Sequence, residues 1–177
     1  MNRSPIAFRR TLTILLAAAL LGACSDKAAT TAAVAPVEIE RGTACSLDGM
    51  LLADYQGPKG QIIYADKPAP EFFCDTMELL STLLAGEQVR PVRMAYVQDM
   101  AKADWNHPEG YWIDAKTALY VIGGKRQGSM GPTIATFAEE AAAQNFTKEY
   151  GGKVMHFAEI KPDMVDLRGG ASHDMHM

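Results

Sequence analysis

The segment Asp75-Thr-Met-Glu-Leu-Leu-Ser-Thr-Leu-Leu-Ala-Gly86 carries the signals of a complete helix. Asp75 is a typical N-cap residue, and Glu78, three positions later, is its expected capping-box partner. The apolar residues that follow have helical spacing: Met77, Leu79, Leu80, Leu83 and Leu84. Gly86 is expected to end the helix. This stretch therefore predicts a short amphipathic helix in the first half of the chain.

Strands are predicted on both sides of this helix. Gln61–Ala65 alternates loosely in polarity, and Val92–Val97 is predicted to be another strand. Met50–Ala53 is expected to supply one more strand. The first half of the chain is therefore predicted to have the order ββαβ.

The second half repeats this layout without residue-level identity. Tyr111–Ile113 and Ala118–Ile122 are expected strands, Thr136 and Glu139 form a second capping box, and Val154–Phe157 is the closing strand. We therefore predict an α+β fold of two small ββαβ modules, which follow a signal peptide and a flexible tether.

The N-terminus has the layout of a secretory signal. Three arginines and no acidic residue precede the apolar run Leu12–Leu21, which is too short to span a bilayer comfortably. Leu21-Gly22-Ala23-Cys24 resembles the lipobox of bacterial lipoproteins. That resemblance implies a lipid anchor on Cys24 and a place on the periplasmic face of a membrane. Ser25, where an aspartate would signal inner-membrane retention, favours the outer membrane. The alternative is an ordinary cleaved signal with a chance cysteine.

Charge excludes one class of partner. Removing residues 1–23 lowers Lys+Arg from 17 to 14 against 21 Asp+Glu, a net charge of −7, so no basic face for nucleic acid is expected. No second long apolar stretch predicts a membrane-spanning helix. The expected division is a signal peptide (1–23), an Ala/Thr-rich flexible tether (24–40), two ββαβ modules (41–104 and 105–162) and a disordered tail (163–177).

Two cysteines, Cys45 and Cys74, remain after lipidation. In an oxidising compartment such a pair usually forms a disulfide. The stretch Cys45-Ser-Leu-Asp-Gly-Met50 offers a different interpretation. It places a thiol and a thioether around Gly49, which permits a tight turn, and soft sulfur ligands select Cu(I). The spacing alone leaves both interpretations open.

Other soft ligands lie elsewhere in the chain. Met130 stands alone in a small-residue loop, Gly128-Ser129-Met130-Gly131-Pro132, which favours exposure over a place in the core. Met100 is expected in the core, and His107, in a loop, is a possible ligand. The tail adds four further candidates for copper capture: His173, Met175, His176 and Met177.

Several short motifs, taken together, resemble those of the nitrous oxide reductase accessory lipoproteins, the NosL-type copper chaperones. They cover nearly the whole mature chain and include Cys45…Gly49-Met50, Gly57-Pro58-Lys59-Gly60-Gln61, Phe72-Phe73-Cys74, Val97-Gln98-Asp99-Met100, Trp105-Asn106-His107-Pro108, Gly128-Ser129-Met130-Gly131 and Gly151-Gly152. Many members have a second cysteine immediately before the Gly-Met pair, where this chain has Asp48.

The resemblance implies a monomeric Cu(I) carrier with two ββαβ modules. It further implies that the carrier helps to build the copper centres of nitrous oxide reductase beside an ABC-type membrane complex. Cys45 and Met50 match the family motif, and Met130 is the expected third ligand. No triad, phosphate loop or zinc-protease motif predicts an enzyme. Two rival hypotheses remain: a docking lipoprotein stapled by a Cys45–Cys74 disulfide, and a redox enzyme that uses both thiols.

Overall fold

The computed structural model describes residues 34–87 and 89–167. The expected signal peptide, the lipidated Cys24 and the His/Met residues of the tail lie outside these ranges. Within them, no helix is both long enough and apolar enough to cross a membrane. The fold is α+β, as predicted.

The first sheet has the order β2-β1-β3-β4 and is antiparallel throughout. Its strands are β1 (Gly60–Tyr64), β2 (Glu71–Phe73), β3 (Val92–Gln98) and β4 (Trp112–Asp114), and helix α1 (Thr76–Leu83) follows β2. Every residue of the central strand β1 is buried. Gly60 lets α1 approach this strand, because a Cβ there would lie 2.3 Å from Leu79 Cδ1.

The second sheet has the order β8-β5-β9, also antiparallel. It consists of β5 (Leu119–Ile122), β8 (Ala135–Phe137) and β9 (Lys153–His156), with helix α2 (Glu140–Tyr150) between the last two. A two-residue hairpin, β6 (Gln127–Gly128) and β7 (Gly131–Pro132), is inserted before β8. The order β8-β5-β9 repeats β2-β1-β3, so the chain folds as ββαβ twice. Within the described ranges, three 3₁₀ helices complete the fold: Leu52–Asp54, Phe157–Glu159 and Pro162–Val165.

The strands expected at the start of each module were wrong. Met50–Ala53 is not a strand: a single bridge joins Ala44 to Leu51, and a 3₁₀ helix follows. Both edges of β1 are already paired, with β2 and β3, so no edge of that strand is free for this segment. The segment predicted at Tyr111–Ile113 is strand β4, but it pairs with β3 of the first sheet. In each unit the second strand, β2 or β8, instead follows the first strand in the chain and precedes the helix.

The predicted capping of α2 was also wrong. Thr136 lies within β8, where its Oγ1 donates a hydrogen bond of 2.6 Å to the Gln98 carbonyl of β3 and so joins the two sheets. The N-cap of α2 is Glu139, which makes no side-chain capping bond. The β-branched Thr136 favours the strand. In α1, by contrast, Asp75 is the N-cap as predicted and accepts the Met77 N–H at 2.9 Å.

The two units share their main hydrophobic core. This core combines buried residues of β1, α1 and β3 with residues of β5 and the C-terminal segment, among them Ile62, Leu79, Leu80, Val97, Tyr120, Ile134, Met155, Ile160 and Val165. Burying one such leucine, isoleucine or valine side chain contributes about 1.5–3 kcal/mol. The C-terminal 3₁₀ helix is therefore held against α1 by its buried Val165.

The chain joins the folded domain before residue 41, the expected start of the first module. The fully buried amide of Gln61 donates to the Val37 carbonyl and accepts the Val37 N–H, both at 2.9 Å. The Tyr96 hydroxyl donates to the Val34 carbonyl, and Ile39 packs near Cys45. Residues 34–40 are thus part of the described domain.

Candidate metal centre

The stretch from Cys45 to Met50 forms a closed loop. The Cys45 N–H donates to the Met50 carbonyl at 2.8 Å, and the Gly49 N–H donates back to the Cys45 carbonyl at 3.0 Å. Gly49 has φ +78°, the left-handed conformation that favours glycine, and the Asp48 carboxylate accepts the Met50 N–H at 3.0 Å. The turn expected at Gly49 is therefore present, and it brings Met50 and Cys45 into one apolar cluster.

Cys74 lies beside this loop at the end of β2. It directly precedes Asp75, the N-cap of α1, and Glu78 follows one helical turn later. Glu78 Oε2 accepts a hydrogen bond from Cys45 Sγ at 3.3 Å and from Cys74 Sγ at 3.2 Å. Ligand atoms of Cys45, Asp48, Cys74 and Glu78 all lie within 4.8 Å of one another. The two cysteines are free thiols.

This cluster is buried on its inner side. Cys45, Cys74 and Glu78 are at most 4% exposed, whereas Asp48 is at the surface. Burial raises the pKa of both thiols and of the Glu78 carboxyl above their ordinary values. Both thiols are therefore protonated at neutral pH without metal, and a metal that binds a thiolate must displace a proton.

A buried lysine lies beneath the thiols. Lys59 is fully buried, and its Nζ donates hydrogen bonds to the Gln56 carbonyl at 2.9 Å and to the Cys74 carbonyl at 3.0 Å. Burial lowers the pKa of Lys59 to about 8, against the attraction of neighbouring acidic groups. The ammonium charge favours the thiolate forms of Cys74 and Cys45. Sequence analysis quoted Lys59 only as part of a motif.

The hairpin β6–β7 docks its turn on the N-terminus of α1. Ser129 Oγ donates to the Cys74 carbonyl at 2.9 Å and to Asp75 Oδ2 at 3.2 Å, and Thr133 Oγ1 donates to Asp75 Oδ1 at 2.7 Å. Glycines make this approach possible: a Cβ on Gly57 would lie 2.8 Å from Gly128 Cα. The turn that carries Met130 is thus fixed next to Cys74.

Met130 is 60% exposed, as its loop predicted. It lines a cleft of about 160 Å³ together with Asp75, Met77, Glu78, Pro132, Asp166 and Leu167. Glu78 therefore connects this cleft to the two thiols, because its Oε2 accepts both of them. Cys45 thus contacts the Glu78 carboxylate directly, Met130 shares a cleft with Glu78, and Met50 packs in the apolar cluster of Cys45.

Met100, expected in the core, and His107, a possible ligand, lie apart from this cluster. Met100 is half-buried against the second core, which contains Trp105, and its N–H donates to the Thr136 carbonyl. His107 is exposed in its loop. Sequence analysis missed Glu78 as a thiol partner, since it was interpreted as a capping residue. The spacing Cys74-x-x-x-Glu78 was the available signal, because residues four apart at a helix start share one face.

The donor set favours a soft monovalent metal. Thiols and thioethers select Cu(I), and carboxylates add harder oxygen donors at the rim. A redox enzyme needs thiols whose pKa is lowered, whereas burial raises the pKa of Cys45 and Cys74. The convergence of two thiols on one carboxylate therefore fits a metal site.

Comparison with known proteins agrees with this chemistry. The NosL family model matches residues 36–165. The chain is 35% identical to a copper-binding lipoprotein NosL of Stutzerimonas stutzeri over 168 residues, 92% of this chain and 87% of that protein. It is 35% identical to the copper-binding lipoprotein NosL of Achromobacter cycloclastes over 160 residues, 88% and 82% of the two chains. The crystal structure of the copper chaperone NosL from Shewanella denitrificans has a TM-score of 0.68 and 36% identity, covering 73% of this chain and 96% of that one.

Proposed function

Because this chain belongs to the NosL family, we propose that it is a membrane-anchored Cu(I) carrier that supplies copper for the maturation of nitrous oxide reductase. The observation that carries the proposal is the pair of free thiols, Cys45 and Cys74, that converge on Glu78 beside the Met50 thioether. The carrier performs no chemistry on its cargo and acts by binding and release.

The proposed ligands are the Cys45 thiolate and the thioethers of Met50 and Met130. The closed loop that begins at Cys45 supports Met50 as a ligand, because it joins the two residues by a backbone hydrogen bond. The position of Met130 on the docked turn supports it as a further ligand, because Met130 and Glu78 line the same cleft. Thioethers are neutral and exchange readily, so an acceptor protein can replace them one at a time. The Cys74 sulfur lies within 4.8 Å of the Cys45 sulfur, close enough to exchange with it as a ligand.

The lipid anchor on Cys24 places the carrier on the periplasmic face of a membrane, with the outer membrane favoured by Ser25. Tethering raises the local concentration of the carrier near a membrane-bound partner. We propose that this partner is an ABC-type maturation complex, which takes part in passing copper on to nitrous oxide reductase. The carrier works as a monomer.

The test is an anaerobic Cu(I) titration of the mature chain against a competing chelator. Wild type should bind one tight equivalent, and Cys45→Ser should lose it. Met50→Leu and Met130→Leu should each weaken binding roughly tenfold, about 1.4 kcal/mol. Met94→Leu, a half-buried methionine of β3, is the matched control and should bind as wild type does.

A second step tests the recipient. Copper-loaded wild type should restore the copper absorption bands of metal-free nitrous oxide reductase, and Cys45→Ser should not. The rival hypothesis is a docking lipoprotein stapled by a Cys45–Cys74 disulfide. Two results together would support this rival: wild type binds no Cu(I) tightly, and the mature protein contains no free thiol.

A further inference from the structure

The cluster around Glu78 contains donors that the proposed Cu(I) ligands leave unused. Cys45, Asp48, Cys74 and Glu78 have ligand atoms within 4.8 Å of one another, and the proposed Cu(I) ligands include only the first of them. Thiolates and carboxylates are both common metal ligands in proteins. The full cluster therefore offers two sulfur and two oxygen donors at one place.

The spacing of these donors fits a tetrahedral ion. Zn²⁺ is usually four-coordinate in proteins, and in a tetrahedron with its usual bond lengths a sulfur and an oxygen ligand lie about 3.5 Å apart. Glu78 Oε2 lies 3.3 Å from Cys45 Sγ and 3.2 Å from Cys74 Sγ. Two edges of such a tetrahedron are therefore already formed. The other pairs of donors need to approach by at most about 1.5 Å.

The fold orients the donors toward one point. Both thiols donate to the same oxygen of Glu78, so a cation that replaces their two protons would lie between these three groups. Cys74 and Glu78 are held at the start of α1, one helical turn apart. The Met50 N–H donates to Asp48 Oδ1 at 3.0 Å and so orients the fourth donor at the surface.

Charge balance favours a divalent ion. With both thiols ionised, the buried donors Cys45, Cys74 and Glu78 carry three negative charges. The fully buried Lys59 ammonium, which donates to the Cys74 carbonyl at 3.0 Å, supplies one positive charge. Buried charges are costly unless they are compensated. A divalent ion completes the balance, whereas a monovalent ion leaves one negative charge uncompensated.

We propose that Cys45, Asp48, Cys74 and Glu78 form a second kind of metal site, which binds a divalent ion of the Zn²⁺ class. Mg²⁺ and Ca²⁺ prefer oxygen ligands alone, whereas Zn²⁺ accepts sulfur and oxygen together. If Cys45 also binds Cu(I), the two ions share one thiolate and exclude each other. This exclusion rests on the proposed function, whereas the divalent site does not. Cu(I) must then displace the divalent ion before the carrier is loaded.

The test is an anaerobic titration of the reduced, metal-free mature chain with Zn²⁺ against a chromophoric chelator. Wild type should bind one equivalent, and Cys74→Ser and Asp48→Asn should each raise the Kd for Zn²⁺ at least tenfold. Asp48→Asn retains the oxygen that accepts the Met50 N–H, so it removes charge without opening the loop. The matched control is Asp54→Asn, which changes an exposed aspartate outside the cluster and should bind Zn²⁺ as wild type does.

Co²⁺ in place of Zn²⁺ reports the geometry of the site. Wild type loaded with Co²⁺ should show thiolate-to-metal charge-transfer absorption and the intense visible bands of a tetrahedral ion. One equivalent of Cu(I) should remove these bands, because both ions need Cys45. Bands that persist beside bound Cu(I) would overturn the shared thiolate.

Two further results would overturn the divalent site itself. One is a wild type that binds Cu(I) tightly but does not bind Zn²⁺. The other is equal Zn²⁺ affinity in wild type, Cys74→Ser and Asp48→Asn, which would show that the ion binds elsewhere. Failure of the carrier function looks different, because Zn²⁺ would then bind and Cu(I) would not. Unchanged near-ultraviolet circular dichroism checks that the variants keep their fold.

Discussion

Replacing Gly128 by alanine should displace the turn that carries Met130. A Cβ at this position would lie 2.7 Å from Thr133 Cβ and Cγ2 and 2.8 Å from Asp75 Oδ2. Ordinary carbon–carbon contacts are about 3.5–4.0 Å, so the hairpin must move by about 1 Å. Thr133 is buried and itself hydrogen-bonded to Asp75, so it has little room to yield.

The displacement determines the expected magnitude. A shift of this size breaks the hydrogen bond of the Ser129 hydroxyl, whose single proton is shared between the Cys74 carbonyl and Asp75 Oδ2. A hydrogen bond to a charged group contributes about 1.5–3 kcal/mol. We therefore expect Gly128→Ala to lose about 1.5–3 kcal/mol of unfolding free energy. For a domain of this size the melting temperature should fall by about 5–12 °C.

Thermal unfolding of the metal-free protein measures the first effect, and Cu(I) competition measures the second. If Met130 is a ligand, the moved turn should weaken Cu(I) binding roughly tenfold, as Met130→Leu does. The control is Gly86→Ala, where a Cβ would meet no atom within 4 Å. The reasoning is refuted if Gly128→Ala has the same melting temperature and the same Cu(I) affinity as the Gly86→Ala control.

Two predictions concern pH. Burial raises the pKa of Cys45 above its ordinary value of 9.0, so Cu(I) binding should release a proton from this thiol. The Kd for Cu(I) should therefore rise about tenfold for each unit that the pH falls from 8 to 6. An unchanged Kd across this range would contradict a thiolate ligand. Burial lowers the pKa of Lys59 from 10.5 to about 8. Between these two pH values the unfolded chain therefore binds more protons at Lys59 than the folded chain does. The contribution of Lys59 to the free energy of unfolding should rise with pH in this range, by at most about 1.4 kcal/mol per pH unit. Urea unfolding of wild type at pH 8, 9 and 10 should show this rise relative to Lys59→Met; parallel curves would count against a buried ammonium.

Local signals predicted the helices better than the sheets. Asp75 caps α1 because its short carboxylate can accept a free N–H of the first helical turn. Gly151, at φ +73°, ends α2 because glycine tolerates a positive φ. Strand pairing is not local. Glu71–Phe73 is too short to show a period, and it is a strand only because β1 offers it an edge. The shared core likewise could not be inferred from either half alone.

The site was predicted in part. The turn at Gly49 and the exposure of Met130 both followed from short-range sequence. The meeting of Cys45 with Cys74 depends on the Ser46 N–H binding the Phe72 carbonyl at 2.8 Å, a contact that no spacing reveals. Whether Cys45, Met50 and Met130 bind the metal together stays a prediction. Glu78 was misinterpreted because its position fits a cap as well as it fits a thiol acceptor.

In the proposed carrier, the hydrogen bonds between Gln61 and Val37 would limit how far from the membrane copper can be handed over. With the proposed lipid on Cys24, Val34 is the tenth residue after the anchor, at most about 35 Å away along a fully extended chain. Ile39, which packs against the cluster of Cys45 and Cys74, lies five residues further along the chain. The proposed metal site would therefore stay within about 50 Å of the lipid surface. An acceptor must present its receiving site inside that layer, so lengthening the segment 25–33 would widen the range of heights at which transfer occurs.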